Sequence, residues 1–208
     1  GVFVQGLLVC DAGGEVVQRT VLEPEVVQLC RSVAQSRGWT VLSYTDGDRV
    51  ISNRADPQTD RLRPLQEPAV EVGGVDGVAV HKMLFLCSSE EEDAVRSELA
   101  AEISDRASLT VAIAGMVEVL PFGTSKADGV RTALDMLGCS PSEALALGDG
   151  ENDLELLAMV RQAGGVAAAV GNARQKLKDV AGEIVGTCDE GGWAEAVERW
   201  VLGPPADR

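Results

Sequence analysis

Apolar and polar residues follow different patterns in the two parts of the chain. In the first part, short strand-like runs are interspersed with two amphipathic helices, one opening at Pro24 and ending near Gly38 and the other over residues 90–101. The predicted strands cover residues 2–9, 15–20, 40–44, 49–52, 78–86, 109–113 and 116–120. This mixture predicts an α+β domain in which hairpins and helices combine.

A regular alternation of helix and strand begins at Lys126. The pattern predicts helices over residues 126–137, 152–160, 173–180 and 193–201, with strands over 144–147, 166–170 and 183–186 between them. Such alternation is typical of βαβ units that share a parallel sheet. We therefore predict an α/β fold with two domains, residues 1–120 and 121–208, joined near Pro121.

The segment from Gly148 to Asp153 is the most informative motif. It connects the strand at 144–147 to an amphipathic helix through a tight acidic turn. Open α/β sheets bind ligands at the carboxyl ends of their strands, where Asp149 would lie, and Asn152 would follow near the helix start. Carboxylate oxygens at such a corner suit Mg²⁺. Simple capping of the helix by the same acidic residues is the structural alternative.

A lysine opens the helix that precedes this turn. Lys126 follows Gly123-Thr124-Ser125 and stands at the end of the helix where the dipole disfavours a cation. A specific anion, such as a phosphoryl group or a carboxylate, would explain this position. An ordinary exposed lysine is the alternative.

Composition narrows the class of protein. Of the 208 residues 45% are hydrophobic, enough for a buried core, and the net charge of −15 argues against general nucleic-acid binding. No apolar run approaches the roughly 18 residues of a membrane span. The five cysteines are scattered without a C-x-x-C pair, which predicts reduced, mostly buried thiols. We expect a soluble intracellular protein in a reducing compartment, without nucleic-acid or membrane partners.

Four landmarks of the second part occur in a characteristic order. They are Lys126-Ala-Asp-Gly129-Val130, the acidic turn, Gly171-Asn172-Ala173 and Asp189-Glu-Gly191-Gly192. In this order they resemble the second half of a haloacid dehalogenase superfamily phosphatase of the Cof-like type. The resemblance implies a Rossmann-like parallel sheet, of which this chain holds the carboxyl-terminal half, and an inserted α+β cap domain of type IIB over residues 1–120.

The resemblance also implies a reaction and roles for individual residues. Such enzymes are Mg²⁺-dependent hydrolases of small phosphorylated metabolites that form an aspartyl-phosphate. By resemblance, Asp149 and Asp153 hold Mg²⁺, while Lys126, Asn152 and Asp153 are catalytic. Lys126 would pair with the nucleophile and the transferring phosphoryl group, and Asn172 would help to bind the substrate at the same rim.

The family also requires a D-x-D-G-T motif, which supplies the nucleophile and a second acid. Asp11 does not fit this motif, because Gly13 takes the place of the second acid and Glu15 that of the threonine. Residues 1–6 instead stand where Cof-like proteins have an N-G-A strand at the entry into the cap. We therefore expect the nucleophile motif to be absent from this chain, and a preceding core segment or a partner chain to complete the sheet.

Two segments resemble a more specific group of proteins. Gly1-Val-Phe-Val-Gln-Gly-Leu-Leu-Val9 and Pro121-Phe-Gly-Thr-Ser-Lys126 are similar to the haloacid-dehalogenase-like region of plant chloroplast YbeY-type proteins, which fuse it to an endoribonuclease domain. This implies a location in the chloroplast stroma. Two functions stay open: a phosphatase whose 208-residue part is inactive alone, and a non-catalytic interaction module of a larger plastid protein or assembly.

Overall fold

The computed structural model describes residues 1–47 and 49–203, and the chain divides into two units. Unit 1 combines Gly1–Gln18 with Ser125–Arg208, and unit 2 is the continuous stretch Arg19–Thr124. The predicted division at residue 120 lies close to the second boundary but differs in the placement of the first 18 residues. Those residues pack with the carboxyl-terminal part because the turn at Val4–Gly6 lies against the helix that opens at Lys126.

The amino-terminal residues form a small three-stranded sheet in the order β1-β2-β3. Its strands are β1 (Val2–Phe3), β2 (Leu8–Cys10) and β3 (Val16–Arg19). A 3-10 turn at Val4–Gly6 interrupts the single strand predicted over residues 2–9. In this turn Val4 and Gln5 have positive φ angles of 47° and 60°. Such angles are rare for residues with a Cβ and persist only where surrounding contacts hold them.

Unit 2 is built around a six-stranded sheet in the order β6-β5-β4-β7-β9-β8. Neighbouring strands are antiparallel except for β5 and β6, which are parallel. Along the chain the elements are α1 (Pro24–Arg37), β4 (Thr40–Thr45), β5 (Arg49–Ser52), β6 (Val70–Val72), β7 (Val80–Leu86), α2 (Glu92–Ile103), β8 (Ala107–Val111) and β9 (Met116–Pro121). The mixed α+β character predicted for this part of the chain is confirmed.

Both faces of the unit 2 sheet are covered, which explains why β4, β7 and β9 are buried along their whole length. Helices α1 and α2 pack on one face, where Val26, Leu99 and Phe85 belong to a single apolar cluster. On the other face Leu62, from the 3-10 segment Pro57–Leu65, packs with residues of β4 and β7. Because side chains alternate between the faces of a strand, each central strand contributes to both clusters.

Unit 1 contains a parallel sheet in the order β10-β11-β12 with helices between its strands. Its elements are α3 (Lys126–Leu137), β10 (Leu145–Gly148), α4 (Leu154–Gln162), β11 (Val166–Ala169), α5 (Gln175–Val180), β12 (Glu183–Ile184) and α6 (Gly192–Val197), followed by a π-helical turn at Glu198–Leu202. The predicted α/β fold with a parallel sheet is confirmed. None of the helices in the described part of the chain is long and apolar enough to cross a membrane.

All five cysteines are free thiols, but they are less buried than expected. Cys30 and Cys87 are buried, Cys10 and Cys139 are partly exposed, and Cys188 is exposed. Burial raises the pKa of the Cys30 thiol to about 12, and the nearby charge of Arg106 opposes this only in part. Cys30 therefore behaves as a small apolar residue of the core.

A buried ion pair lies on the second face of the unit 2 sheet. The Lys82 Nζ donates to Glu118 Oε1 at 2.8 Å, and the two side chains are only 10% and 5% exposed. The same ammonium lies 4.4 Å from the centre of the Tyr44 ring. Because buried charges lose their hydration, removal of one partner strands the other in an apolar environment.

We predict that this pair obeys the energetics of a buried salt bridge. Glu118→Leu and Lys82→Met, made singly, should each lower the free energy of unfolding by about 3–5 kcal/mol, because each removes the ion-pair partner of a buried charge. The double variant should recover most of the loss, since it leaves no charge behind. Urea unfolding followed by circular dichroism measures all three variants.

The matched control is the exposed pair between Arg49 and Glu71, whose side chains are 50% and 53% exposed. Glu71→Gln should leave the unfolding midpoint nearly unchanged, because solvent screens an exposed pair. Additive losses in the Lys82 and Glu118 double variant would contradict the predicted coupling.

Candidate active site

The acidic turn lies between the end of β10 and the start of α4, as predicted. Asp149 directly follows the last residue of β10 and is exposed, and a 3-10 turn at Glu151–Asp153 leads into α4. Among the described residues, the Asp149 carboxylate accepts no hydrogen bond and makes no ion pair. Asp149 therefore presents an unengaged carboxylate at the carboxyl end of a parallel strand, where ligands of such sheets bind.

Asp153 is placed differently, with its carboxylate buried beneath the turn. Only 4% of the residue is exposed. Its Oδ2 accepts hydrogen bonds from the backbone N–H groups of Asp149 at 3.1 Å and Gly150 at 3.3 Å. Its Oδ1 accepts from the ammonium of Lys126. Three donors thus occupy a carboxylate that has about four acceptor positions, so Asp153 mainly shapes the turn and holds the lysine.

Lys126 opens α3 in the position that the sequence marks as unfavourable for a cation. The carboxylate of Asp153 supplies the anion that this position requires. The Asp128 carboxylate accepts from the Ser125 N–H at 2.8 Å, which caps the same helix end. The Lys126 side chain is 29% exposed, and an ammonium has three N–H donors. Lys126 is therefore fixed by Asp153 and still accessible from solvent.

A glycine permits the close contact between the strand and Asp153. A Cβ added at Gly148 would lie 2.5 Å from the Cβ of Asp153 and 2.7 Å from its Oδ2. A larger residue at this position would force the carboxylate away from the N–H groups that it accepts from. The glycine at the end of β10 is thus required for the packing of the buried Asp153 carboxylate.

Asn152 connects the acidic turn to the amino-terminal segment. Its Nδ2 donates to Gln5 Oε1 at 2.7 Å, and its Oδ1 is buried without a hydrogen-bond partner among the described residues. Gln5 is one of the two non-glycine residues with a positive φ in the Val4–Gly6 turn. A buried carbonyl oxygen without a donor is uncommon in folded proteins and requires an explanation, such as a bound ion or water.

Gln5 and Gly6 are the site residues that sequence reasoning does not identify. A signal for them is present, since residues 1–6 match the N-G-A strand position of Cof-like proteins, but the predicted boundary places that strand in the other domain. In the structure Gly6 lies against α3: a Cβ on Gly129 would lie 2.6 Å from the Gly6 Cα. This close backbone approach explains the glycine in the K-x-x-G landmark.

Asn172 lies in the loop between β11 and α5, next to the acidic turn. The backbone joins the two segments, because Val170 N–H donates to the Gly148 carbonyl at 3.2 Å and Arg174 N–H to the Asp149 carbonyl at 3.4 Å. The Asn172 side chain itself accepts from the Cys188 N–H at 3.0 Å. Asn172 therefore links two neighbouring loops at the rim of the turn.

The described residues bring together only part of a metal-ligand set. Within residues 1–47 and 49–203, no three side chains of His, Cys, Asp or Glu converge as they would at a complete protein-only metal site. Asp149 and the orphaned Asn152 Oδ1 are hard oxygen atoms in one turn. Mg²⁺ usually takes one or two carboxylates from the protein and keeps waters or substrate oxygens, so this donor set fits it.

Comparison with known protein families identifies the family of this chain. The profile of haloacid dehalogenase-like hydrolases matches residues 2–197. The chain belongs to the haloacid dehalogenase-like hydrolase family. The predicted resemblance to this family is confirmed. The parallel sheet, helix α3 with Lys126 and the acidic turn are therefore parts of a family member.

Curated relatives of this family member include one plant and several bacterial proteins. The chain is 34% identical over 209 residues to the chloroplastic endoribonuclease YBEY of Arabidopsis thaliana, covering 97% of this chain and 35% of that protein. It is 25% identical over 204 residues to the HMP-PP phosphatase of Yersinia pseudotuberculosis, covering 96% of this chain and 73% of that protein. The chain thus spans about a third of the length of its plant relative.

Solved structures of the haloacid dehalogenase-like hydrolase family have the same fold. A haloacid dehalogenase-like hydrolase from Bacteroides thetaiotaomicron is 29% identical with a TM-score of 0.74, over 90% of this chain and 70% of that one. A HAD/COF-like hydrolase from Plasmodium vivax reaches a TM-score of 0.84 at 20% identity, over 95% and 70% of the two chains. At that identity the second likeness concerns the fold alone.

We predict that unit 1 tolerates no side chain at position 148, because Asp153 packs directly against Gly148. Gly148→Ala should lower the free energy of unfolding by about 1–3 kcal/mol, because the new methyl group overpacks the buried carboxylate. Urea unfolding measures the change.

Gly182→Ala is the matched control, since a Cβ there would meet nothing closer than 3.5 Å. Its unfolding midpoint should stay close to that of the natural sequence. Equal midpoints for the Gly148 and Gly182 variants would refute the close packing described for the turn.

Proposed function

We propose that the natural protein is a Mg²⁺-dependent phosphatase of small phosphorylated metabolites, with its catalytic corner at the acidic turn. The observation that carries this proposal is the pairing of an accessible lysine with a buried acid beside an unengaged carboxylate. Lys126, Asp153 and Asp149 provide these three groups. In an in-line phosphoryl displacement, the protein has to hold a cationic group and carboxylates at fixed positions, so that the reacting groups are oriented and the developing charge is stabilised.

We assign the cation-binding role to Asp149, supported by the carbonyl oxygen of Asn152. Asp149 is exposed and unengaged, whereas the oxygens of Asp153 already accept from three donors. Mg²⁺ bound there would neutralise charge on the transferring phosphoryl group. Asp153 then acts as a positioning residue that holds Lys126 and orients the N–H groups of the turn.

Lys126 would bind the phosphoryl group of the substrate. One of its three N–H donors is directed to Asp153, and the side chain remains partly open to solvent. The pairing holds the ammonium in place before substrate arrives, which lowers the entropic cost of binding. Asn172, at the neighbouring loop, is our proposed additional contact at the rim of the site.

The nucleophile is proposed to reside on a strand that pairs with the free edge of β10. The carbonyl of Ala144 accepts from Val166 at the start of β11 and that of Gly148 from Val170 just after it, so the backbone groups of Leu145 and Leu147 point to the opposite edge. No strand of residues 1–47 or 49–203 pairs with that edge. An added parallel strand would end beside Asp149, where an acidic nucleophile is needed. A core segment of a longer natural chain, or a partner chain, would supply it.

Amide exchange tests this strand addition. In the 208-residue chain the Leu147 amide should exchange much faster than that of Ala146, because only Ala146 faces β11. In the full-length natural protein both amides should be protected. NMR-detected hydrogen exchange compares the two chains, and identical protection of Leu147 in both would refute a strand added by a core segment of the same chain.

The activity itself is tested on the full-length natural protein. Phosphate release should be measured with a panel of phosphorylated metabolites that includes HMP-PP, since a bacterial relative is named for its action on that compound. Activity should disappear with EDTA and return with Mg²⁺. Asp149→Asn should reduce kcat/KM at least about 100-fold, the scale expected when a group that stabilises transition-state charge is removed.

Asp179→Asn serves as the control for that substitution, because Asp179 lies on α5 and accepts only from Gln175 among the described residues. It should leave activity unchanged. A thermal-shift titration with Mg²⁺ gives a readout independent of turnover: Asp149→Asn should lose the stabilisation that Mg²⁺ confers on the unsubstituted protein. Undiminished turnover in Asp149→Asn would sink the proposed metal role.

A second candidate function is a non-catalytic interaction module in the chloroplast. It is favoured by the plant relative, an endoribonuclease of which this chain matches only about a third. In that case the fold would serve as a scaffold or docking domain within a longer plastid protein. Full-length protein that releases no phosphate from any compound of the panel, yet folds and remains stable, would favour this function over the phosphatase.

A further inference from the structure

A polar cavity lies in unit 2, where α1 ends and β4 begins. Its volume is about 470 Å³, within the range of roughly 300–1,000 Å³ that is usual for small-molecule sites. The residues that line it include Arg31, Gln35, Gly38, Trp39, Asn53 and Arg54. None of them belongs to the acidic turn or to the segments that support it.

The charge of this cavity is opposite to that of the protein. Both ionisable side chains that line it are arginines, whereas the whole chain carries a net charge of −15. Two guanidinium groups that line one cavity attract an anion, in competition with Asp76, which acts on Arg31, and with Asp56, which acts on Arg54. Arginine is suited to this task, since its planar fork of N–H donors matches carboxylate and phosphate oxygens.

Arg31 has a donor that the protein leaves without an acceptor. Its Nη2 donates to the Gly73 carbonyl at 2.6 Å, but its Nη1 is buried and makes no hydrogen bond within the described residues. Burial also lowers the pKa of the Arg31 guanidinium, and the charge of Asp76 opposes this in part. A buried cationic N–H without an acceptor is unfavourable, and a ligand oxygen would relieve it after a small side-chain rotation.

The other walls of the cavity are held rigidly. Arg54 Nη1 donates to the Gly38 carbonyl at the end of α1 at 2.7 Å. The Asn53 side chain accepts from Val41 N–H and donates to the Trp39 carbonyl, both at 3.0 Å. These bonds fix the backbone around the indole before any ligand binds, which reduces the entropy lost on binding.

Trp39 gives the cavity a partly exposed aromatic ring. The indole packs edge-on against Phe85, with ring centres 6.2 Å apart and planes at 88°. It is only partly buried among the apolar residues beneath it. A flat ring next to two guanidinium groups suits a ligand that carries both a planar group and an oxyanion.

We propose that this cavity binds a nucleoside monophosphate, with the phosphate on Arg31 and Arg54 and the base against Trp39. The cavity shares no residue with the acidic turn, and the proposal does not depend on the proposed phosphatase activity. The nucleoside monophosphate would bind to unit 2 as an effector or as a second part of the substrate. It would not be the group that reacts at Lys126.

The test uses isothermal titration calorimetry of the full 208-residue chain with AMP, adenosine and inorganic phosphate, in EDTA. AMP should bind at least tenfold more tightly than either adenosine or phosphate alone, and it should change the tryptophan fluorescence. Arg54→Ala and Arg31→Gln should each weaken AMP binding at least tenfold, and Trp39→Phe should abolish the fluorescence change. Urea unfolding midpoints identify any variant that fails to fold, and Arg54→Ala, on the exposed rim, is the variant we expect to fold normally.

Two matched variants establish whether AMP binds at this cavity or elsewhere on the protein. Arg63→Ala removes an arginine of the same unit that pairs only with Asp60 among the described residues, and it should leave AMP binding unchanged. Asp149→Asn should also leave it unchanged. The proposal is overturned if AMP does not bind, if phosphate alone binds as tightly as AMP, if binding survives both cavity variants, or if Arg63→Ala or Asp149→Asn weakens it equally.

Discussion

The architecture of unit 1 depends on one buried carboxylate. Asp153 accepts from the ammonium of Lys126 and from two backbone N–H groups of its own turn, and so joins the start of α3 to the end of β10. An ionised group in this position is tolerable only while all these donors stay in place. The glycine at 148, the lysine at 126 and the sharp entry into α4 are therefore consequences of one electrostatic requirement. The same requirement leaves Asp149 free for a ligand.

Local patterns predict the elements of this site well. Helix α3 has the bounds that its apolar spacing indicates, and the acidic turn lies after a parallel strand as its sequence suggests. Each of these features is encoded within about a dozen neighbouring residues, where periodicity and capping determine the structure. The position of Lys126 predicts a neighbouring anion such as a phosphoryl group or a carboxylate, and the Asp153 carboxylate is that neighbour.

Contacts between distant residues are not accessible to the same reasoning. Asn152 reaches Gln5, which is far away in sequence, and Gly129 touches Gly6 backbone to backbone. No periodicity marks such pairs, because their spacing depends on the tertiary fold rather than on the chain between them. For this reason the predicted boundary separates residues 1–18 from the unit with which they pack, although residues 1–6 resemble an N-G-A strand. The cavity at Arg31 and Arg54 escapes prediction likewise, since its wall combines a helix end with a strand end.

The interrupted course of unit 1 along the chain has a consequence for folding. The Gln18 side chain accepts a hydrogen bond from the Thr132 hydroxyl, so this unit forms across a loop that contains the whole of unit 2. Closing so long a loop while it is still unfolded costs conformational entropy, and the cost falls if the loop has already become compact. Unit 2 is continuous in sequence and has a core of its own, so it can fold first. A substitution that weakens its core would then also delay assembly of the acidic turn and its neighbours in unit 1, through chain connectivity alone.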